Sequence, residues 1–553
     1  VKKLMCISFW LMGCLLPALS HGAEPDAAEA AIQAGHSDSE TIPKLVQQLT
    51  EKSLTKAIPV LEALAREGGE TMLPLFRTML NGDLYYVKAT GRVVGQQEVD
   101  GETSYKDLLT AEPVTGLGKR DTKKIRVNNK LRGFLRDSIS RIQLSSEDPA
   151  KRGAAVRSLL SDLDDSTVLA ISEARENETD ADVMATMDLA LAMYALAEGN
   201  SDVEKMDAIE QLSGSLEQDV RNLLRQYAEM EPDHSDYNAK ASAAASKALS
   251  KIQEKVEFYG FVDQLFFGLS LGSVLLLAAI GLAITFGVMG VINMAHGEMI
   301  MLGAYTTYII QMLLPNHIDL SIWIAIPAAF IVSGLVGVAI ERGVIRHLHG
   351  RPLETLLATF GISLFLQQLV RTVISPQNVP VSTPSWMSGT LDINPVLSLT
   401  LNRLYILAFA LLVFFALLII LKKTNLGLNV RAVSQNRAMA RAMGVRSDRV
   451  DALTFGLGSG IAGIAGVALS QLTNVGPNLG QSYIIDSFMV VVFGGVGNLW
   501  GTLVAAFSLG IANKFLEPVT GAVLASILVL VFIILFIQKR PKGLFPQKGR
   551  AAE

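Results

Sequence analysis

Apolar residues recur with two different rhythms along this chain, and the change falls near residue 257. From about Glu24 to Glu257 they sit three and four apart, as in Ile42, Leu45, Val46 and Leu49 or Val60, Leu61 and Leu64. That spacing predicts amphipathic helices with one buried face. From Phe258 onward long apolar runs dominate and charge retreats to short loops, so the first region can dissolve while the second needs lipid.

In the polar region, a pair of stretches echo each other, Asp148 to Leu159 and Ser201 to Leu212. Each reads as a capped helix start, a basic residue, a small Ala and a Leu, the pattern of HEAT-type stacked helices. Between about Leu84 and Val127 the helical period fails. Tyr85-Tyr86-Val87 and Gly91-Arg92-Val93-Val94-Gly95 predict a small strand-rich insertion there. His36 and His234 stand alone, and Gly116-Leu117-Gly118-Lys119-Arg120 lacks phosphate-loop spacing, so this half carries no catalytic constellation.

The first residues have a different character: Lys2-Lys3, an apolar run from Leu4 to Leu16, Pro17, then small residues to Ala23. This is the layout of an export signal, residues 1–23, cleaved near Ala23, which places 24–257 outside the membrane. Both cysteines, Cys6 and Cys14, lie in it, so cleavage removes thiol, disulfide and Cys-metal chemistry.

Apolar runs long enough to span appear at about 265–288, 293–314, 320–341, 354–374, 404–421, 450–472 and 521–538, with a Gly-interrupted stretch at 483–515. If the first span enters from outside, the loops at 342–353 and 422–449 and the C-terminus are cytoplasmic. Charge tests that count independently. Arg342, Arg346 and Arg351 fall in the first of these loops, Lys422, Lys423, Arg431, Arg437, Arg441, Arg446 and Arg449 in the second, whereas 315–320 and 375–402 hold no Lys or Arg. For the tail to end inside, 483–515 must cross an even number of times, as two short spans or a re-entrant pair. The predicted fold is a polytopic α-helical membrane protein of about eight or nine transmembrane segments, some broken, preceded by the exported helical domain. Its permease domain occupies 258–553.

Composition adds two limits. Over 553 residues the mean hydropathy of +0.36 is high for a chain soluble throughout. A net charge of −4 gives no reason to expect nucleic acid.

Polar groups inside apolar runs mark the candidate chemistry, because hydrocarbon penalises them. The densest group is Asn293, His296, Glu298 and Tyr305. Two readings stand: a solvated turn at the inner surface, or a broken helix lining the solute pathway. His296 and Glu298 lack the i,i+4 histidine pair of a zinc hydrolase, so no metal is expected. A second group, Asp486 and Asn498, flanks the Gly494-Gly495-Val496-Gly497 run. Gly268 to Ser273 and Gly456 to Gly460 each open a small-residue span leading toward one of these groups, in opposite senses, the layout expected around a midplane transport site. In the 422–449 loop, Asn425 to Val445 predicts one short amphipathic helix stopped by Gly444, with Ala and Met on one side and Arg on the other. Such a face suits docking on a cytoplasmic partner.

The stretch from Phe266 to Phe545 resembles the branched-chain amino acid type permeases of ATP-binding-cassette importers. The likeness rests on Ile292-Asn293-Met294-Ala295-His296-Gly297-Glu298, the Gly427–Gly444 loop and Gly494-Gly495-Val496-Gly497-Asn498. It implies a coupling segment carrying Gly427, Arg431, Ala432, Ala440 and Gly444, and a non-enzymatic transport subunit of the bacterial inner membrane. The implied partners are two cytoplasmic ATPase subunits that use ATP, a second permease or second copy, and a periplasmic substrate-binding protein. This chain itself has no Walker-type phosphate loop and no cofactor of its own. The exported extension departs from the plain amino acid permeases and resembles the urea-importing branch, which implies urea or a short amide as solute. Outside that family, a stand-alone channel or secondary transporter would explain the spans but not the coupling loop.

Overall fold

The computed structural model describes residues 41–50, 54–99, 102–110, 112–114, 117–118, 120–199, 201–231, 237–348 and 350–545. The expected export signal, His36, His234 and some of the Gly116–Arg120 stretch lie outside these. Two compact units divide at Ile252/Gln253, a few residues before the composition change. The division falls inside one continuous helix, Ala239–Met289.

The first unit opens with helices α1 (Thr41–Gln48), α2 (Leu54–Gly68) and α3 (Leu73–Asn81). The strand-rich insertion is a five-stranded antiparallel sheet of order β4-β3-β2-β1-β5, built from β1 (Leu84–Val87), β2 (Val93–Val99), β3 (Glu102–Asp107), β4 (Pro113–Val114) and β5 (Thr122–Lys124). Leu61, Leu64, Phe76, Met79, Leu84, Leu131 and Leu135 form its buried core with the surrounding helices. Arg92 pairs with Asp107, whose carboxylate also receives the backbone N–H groups of Leu109 and Thr110.

Helices α4 (Asn129–Gln143), α5 (Pro149–Leu159), α6 (Asp165–Glu176), α7 (Ala181–Glu198), α8 (Asp202–Leu212) and α9 (Gln218–Ala228) follow. Asn128, Asp148, Asp164, Asp180 and Ser201 each cap the following helix by accepting an N–H of its first turn. The two echoing stretches are α5 and α8, and they bury equivalent positions: Ala155, Val156 and Leu159 in one, Ala208, Ile209 and Leu212 in the other. Among the described residues, the least exposed ion pair of this unit joins Arg152 to Glu178 through two bonds of 2.6 and 2.7 Å, with the Glu178 side chain 1% exposed. The bond from Arg152, with backbone N–H groups of Asp180 and Thr179, holds the Glu178 carboxyl down at about 2.

The second unit is a helical bundle: α10 (Ala239–Met289), α11 (His296–Leu313), α12 (Ile318–Gly343), α13 (Pro352–Val373), α14 (Leu401–Lys423), α15 (Asn425–Gln435), α16 (Arg437–Ala442), α17 (Ser447–Ser470), α18 (Leu479–Gly494), α19 (Leu499–Thr520) and α20 (Ala522–Lys539). A short β6–β7 hairpin (Thr390–Asp392, Ser398–Thr400) precedes α14. Among the described residues seven helices, α10, α12, α13, α14, α17, α19 and α20, are long and apolar enough to cross a membrane. The stretch expected at 483–515 resolves into the shorter α18 and the full-length α19, joined by the Gly494–Asn498 turn. That turn lies beside the end of α20, because the N–H groups of Leu544 and Phe545 donate to the carbonyls of Phe493 and Gly494.

Helix α17 sits at the centre, and its contacts explain its glycines. A side chain on Gly458 would strike Gly281 of α10, one on Gly463 or Gly466 would strike α12 or α11, and one on Gly456 would strike α12. Small residues let these backbones approach closely where lipid offers no hydrophobic driving force for association.

Candidate functional site

The loop that follows α10 turns back into the bundle. Gly290 reverses the chain with φ +67°, and α11 then begins at His296, whose Nε2 lies 3.0 Å from the carbonyl of Ala278. Ala278 is about three turns before the end of α10, so the start of α11 is deep beside α10 rather than level with its tip. Asn293–Glu298 is not a solvated surface turn but a break between helices, enclosed by protein. The span expected at 293–314 is correspondingly the 18-residue α11, which is less apolar than the spans because it carries His296, Glu298 and Gln311, and much of which is buried in protein.

An opposing break lies between α17 and α18. A Cβ on Gly297 would strike the Gly480 carbonyl, and one on Gly480 the Gly297 carbonyl, so the first turns of α11 and α18 abut. Helix starts expose unpaired N–H groups, and two of them meet here inside the bundle.

Asn293, His296, Glu298 and Tyr305 are all at least nine-tenths buried. Oδ1 of Asn293 accepts from the Ala295 N–H, and Oε1 of Glu298 accepts from Ser363 Oγ at 2.9 Å and Gln367 Nε2 at 2.8 Å. Each still carries one buried polar atom without a partner: Asn293 Nδ2, His296 Nδ1, Glu298 Oε2 and the Tyr305 hydroxyl. Unpaired buried polar groups are costly, and their concentration around one helix break is the property expected of a place a polar solute visits. Among the described residues no cluster of His, Cys, Asp or Glu could hold a metal.

Asp486 and Asn498 are not brought to this cluster. Ile484 faces Gly297, and Asp486, two residues further along α18, leaves on nearly the opposite side, half-buried near Tyr483. Asn498 is the N-cap of α19. Its Oδ1 accepts from the Trp500 and Gly501 N–H groups, and its Nδ2 donates to the Phe545 carbonyl at 3.2 Å. These bonds give Asn498 a structural role at the far end of α18.

The coupling loop also differs from expectation. The single helix is two, because Asn436 leaves helical geometry at φ −150° and caps α16 through the Met439 N–H. Gly444, at φ +87°, stops α16 while the Val445 N–H reaches back to the Ala440 carbonyl. Of the Ala and Met side expected to face a partner, Ala438, Met439, Ala442 and Met443 are exposed, whereas Ala440 packs inward with the valines. Val430, Val433, Ala440 and Val450 form a buried cluster, and Gly427 presses on the backbone of Leu421. Gly427 and Ala440 therefore shape the loop and do not present themselves. Outward lie Leu428, Arg431, Met439 and Met443, with Ala432 partly covered. Arg437 is committed to Asp451 by a bidentate pair of 2.7 and 2.9 Å, and Arg441 binds Ser447 and Asp448. Arg431 and Asn498 line a cavity of about 750 Å³ between α10, α14, α15 and the Gly494–Asn498 turn.

Ser363 and Gln367 were missed from the sequence, where 354–374 reads as a plain span. The available signal was a polar residue every fourth position, Thr355, Thr359, Ser363, Gln367 and Arg371, which keeps one side of α13 polar.

Comparison with known proteins agrees with this architecture. Residues 264–537 match the family model described as branched-chain amino acid transport system / permease component. The high-affinity branched-chain amino acid transport system permease protein LivH of Salmonella typhimurium is 31% identical over 298 residues, covering 52% of this chain and 96% of the relative. BraD of Pseudomonas aeruginosa, of the same description, is 31% identical over 299 residues with the same coverages. The ribose import permease protein RbsC of Escherichia coli is 25% identical over 266 residues, 46% of this chain and 78% of the relative. No solved structure matches. With a bundle of span-length helices, and with nearly the whole length of LivH and BraD matched at this identity, the chain belongs to the branched-chain amino acid transport permease family.

Proposed function

We propose that this chain is the inner-membrane permease subunit of an ATP-driven importer, with branched-chain amino acids as the solute its relatives favour. The observation that carries this is the match over 96% of the length of permeases named for that transport. In this reading the first unit is periplasmic, and α15–α16 face the cytoplasm and meet the ATPase through Leu428, Arg431, Met439 and Met443. A substrate-binding protein delivers solute from outside, and two ATPase subunits and a second permease or second copy complete the importer. The solute passes the α11 break, where Asn293, His296, Glu298 and Tyr305 offer polar groups in an otherwise apolar interior.

A second reading, urea or a short amide, rests on the resemblance of the extended chain to the urea-importing branch, the extension being the half of this chain, with its five-stranded sheet, that lies outside the length matched to LivH. Stacked HEAT-type helices in that unit would offer a docking surface for an external partner. The deciding test is uptake of labelled leucine and of labelled urea in a strain deleted for this gene. Loss of leucine uptake supports the first reading, loss of urea uptake alone supports the second, and loss of neither refutes both.

A further inference from the structure

Helix α13 carries Thr355, Thr359, Ser363, Gln367 and Arg371 on one ridge, about 24 Å from end to end at 1.5 Å per residue. That approaches the ~30 Å of a bilayer's hydrocarbon. Its other side is apolar and outward, with Leu353, Leu357, Leu364 and Phe365 exposed. The polar ridge faces the two helix breaks. Thr359 accepts from the Met294 N–H at 3.2 Å, and Arg371 donates to Asn478, the residue before α18, at 2.6 Å. Between these two clamps sit Ser363 and Gln367, both donating to the same oxygen of Glu298.

This arrangement loads one carboxylate oxygen and leaves the other, Oε2, buried and without a partner. In the ionised form that oxygen only accepts, so what would satisfy it, and hold the buried carboxyl ionised, is an N–H or O–H donor. Two turns along α11, about 10 Å, the Tyr305 hydroxyl is also unpartnered.

We propose that Glu298, oriented by Ser363 and Gln367, forms a transit subsite for the primary nitrogen of the transported solute, an ammonium or an amide N–H₂. It rests on the permease reading above, and its chemistry is shared by α-amino acids and urea. Glu298 touches the solute, whereas Ser363 and Gln367 are positioning residues that fix which carboxylate oxygen is presented.

The test is discrimination against N-methylation, which removes an N–H and adds bulk at that nitrogen. Uptake of leucine against N-methylleucine, and of urea against N-methylurea, is measured in the deletion strain carrying the wild-type gene, Glu298→Gln, Ser363→Ala or Ser363→Thr. The binding protein is common to all strains, so its own selectivity cancels. Glu298→Gln should reduce the parent-to-methyl ratio about threefold for either solute, because the methyl group replaces one N–H donor while an N-methylated ammonium keeps its charge and so does not lose more than its parent when the carboxylate goes. Ser363→Ala should reduce it about threefold in either arm, with Ser363→Thr restoring it. Ratios that stay at the wild-type value while both rates fall together assign these residues a purely structural role and overturn the subsite, leaving the permease reading intact. If the wild-type gene restores uptake of neither solute, the permease reading fails and the subsite falls with it.

Discussion

The two units solve the burial problem in different ways. In the first, Leu, Met and Phe fill the core, the buried carboxylate Glu178 is fully paired, and helix starts are capped by their own side chains. In the second, large apolar residues also fill the core, but the central crossings of α17 with α10, α11 and α12 are made at Gly, Ala and Ser, while Leu and Phe of α14 and α20 are left exposed on the outside. Solvent explains the difference. Water drives large apolar groups inward, whereas lipid accepts them outside and leaves the interior to close backbone contact and to polar groups that hydrocarbon would penalise. A glycine, a cap and an ion pair therefore carry different weights in the two units.

The largest effect should come from the α11–α17 crossing. Gly303→Leu puts a branched side chain against the backbone of Gly463 and should abolish assembled permease, with uptake falling more than about tenfold. Size-exclusion profiles of the solubilised protein would show the loss of the folded species.

Next is the Arg152–Glu178 pair. Arg152→Ala removes both side-chain donors from the Glu178 carboxylate and should destabilise the first unit, read as earlier onset of proteolysis or thermal unfolding of that unit in the full chain. The same pair sets a pH dependence. Because the folded Glu178 titrates at about 2 and the unfolded group near 4.5, its stabilisation is complete above about pH 4.5 and is lost as pH falls toward 2. In Arg152→Ala that acid-sensitive component should shrink, which unfolding measured across this window would show.

Asn498→Ala should cost about 1 kcal/mol through loss of the α19 cap while leaving solute selectivity unchanged. Altered discrimination between parent and N-methyl solutes would return Asn498 to the pathway. The smallest effect is expected at Gly133, an exposed helical glycine of α4 with open space around it. Gly133→Ala should stabilise the first unit by about 0.5–1 kcal/mol, the reverse of the effect at Gly303.

Patterns with a local cause were legible in the sequence. The i,i+3 and i,i+4 apolar spacing, the capping Asp and Ser residues, and the β-branched run at 84–127 marked most elements of the first unit near where they lie. Apolar runs marked the long helices of the second. Signals whose meaning depends on a distant partner were not legible. Nothing local shows that His296 meets Ala278, that Asn498 reaches the Phe545 carbonyl, or that Ala440 faces inward. Asn436 could have been suspected as an internal cap splitting the coupling helix, since Asn favours that position. The α13 ridge was written plainly at every fourth residue, but a span otherwise rich in Leu and Phe masked it.

As a permease subunit, this chain should conduct solute only when driven by a separate ATPase. Proteoliposomes containing the chain with its cognate permease, ATPase and binding-protein partners, and matched vesicles lacking only the ATPase, test this with labelled leucine and urea. ATP-dependent accumulation of one of these solutes is expected in the first, and no flux in the second. Downhill flux of equal rate in vesicles without the ATPase would contradict the permease reading and make the chain a stand-alone channel or carrier.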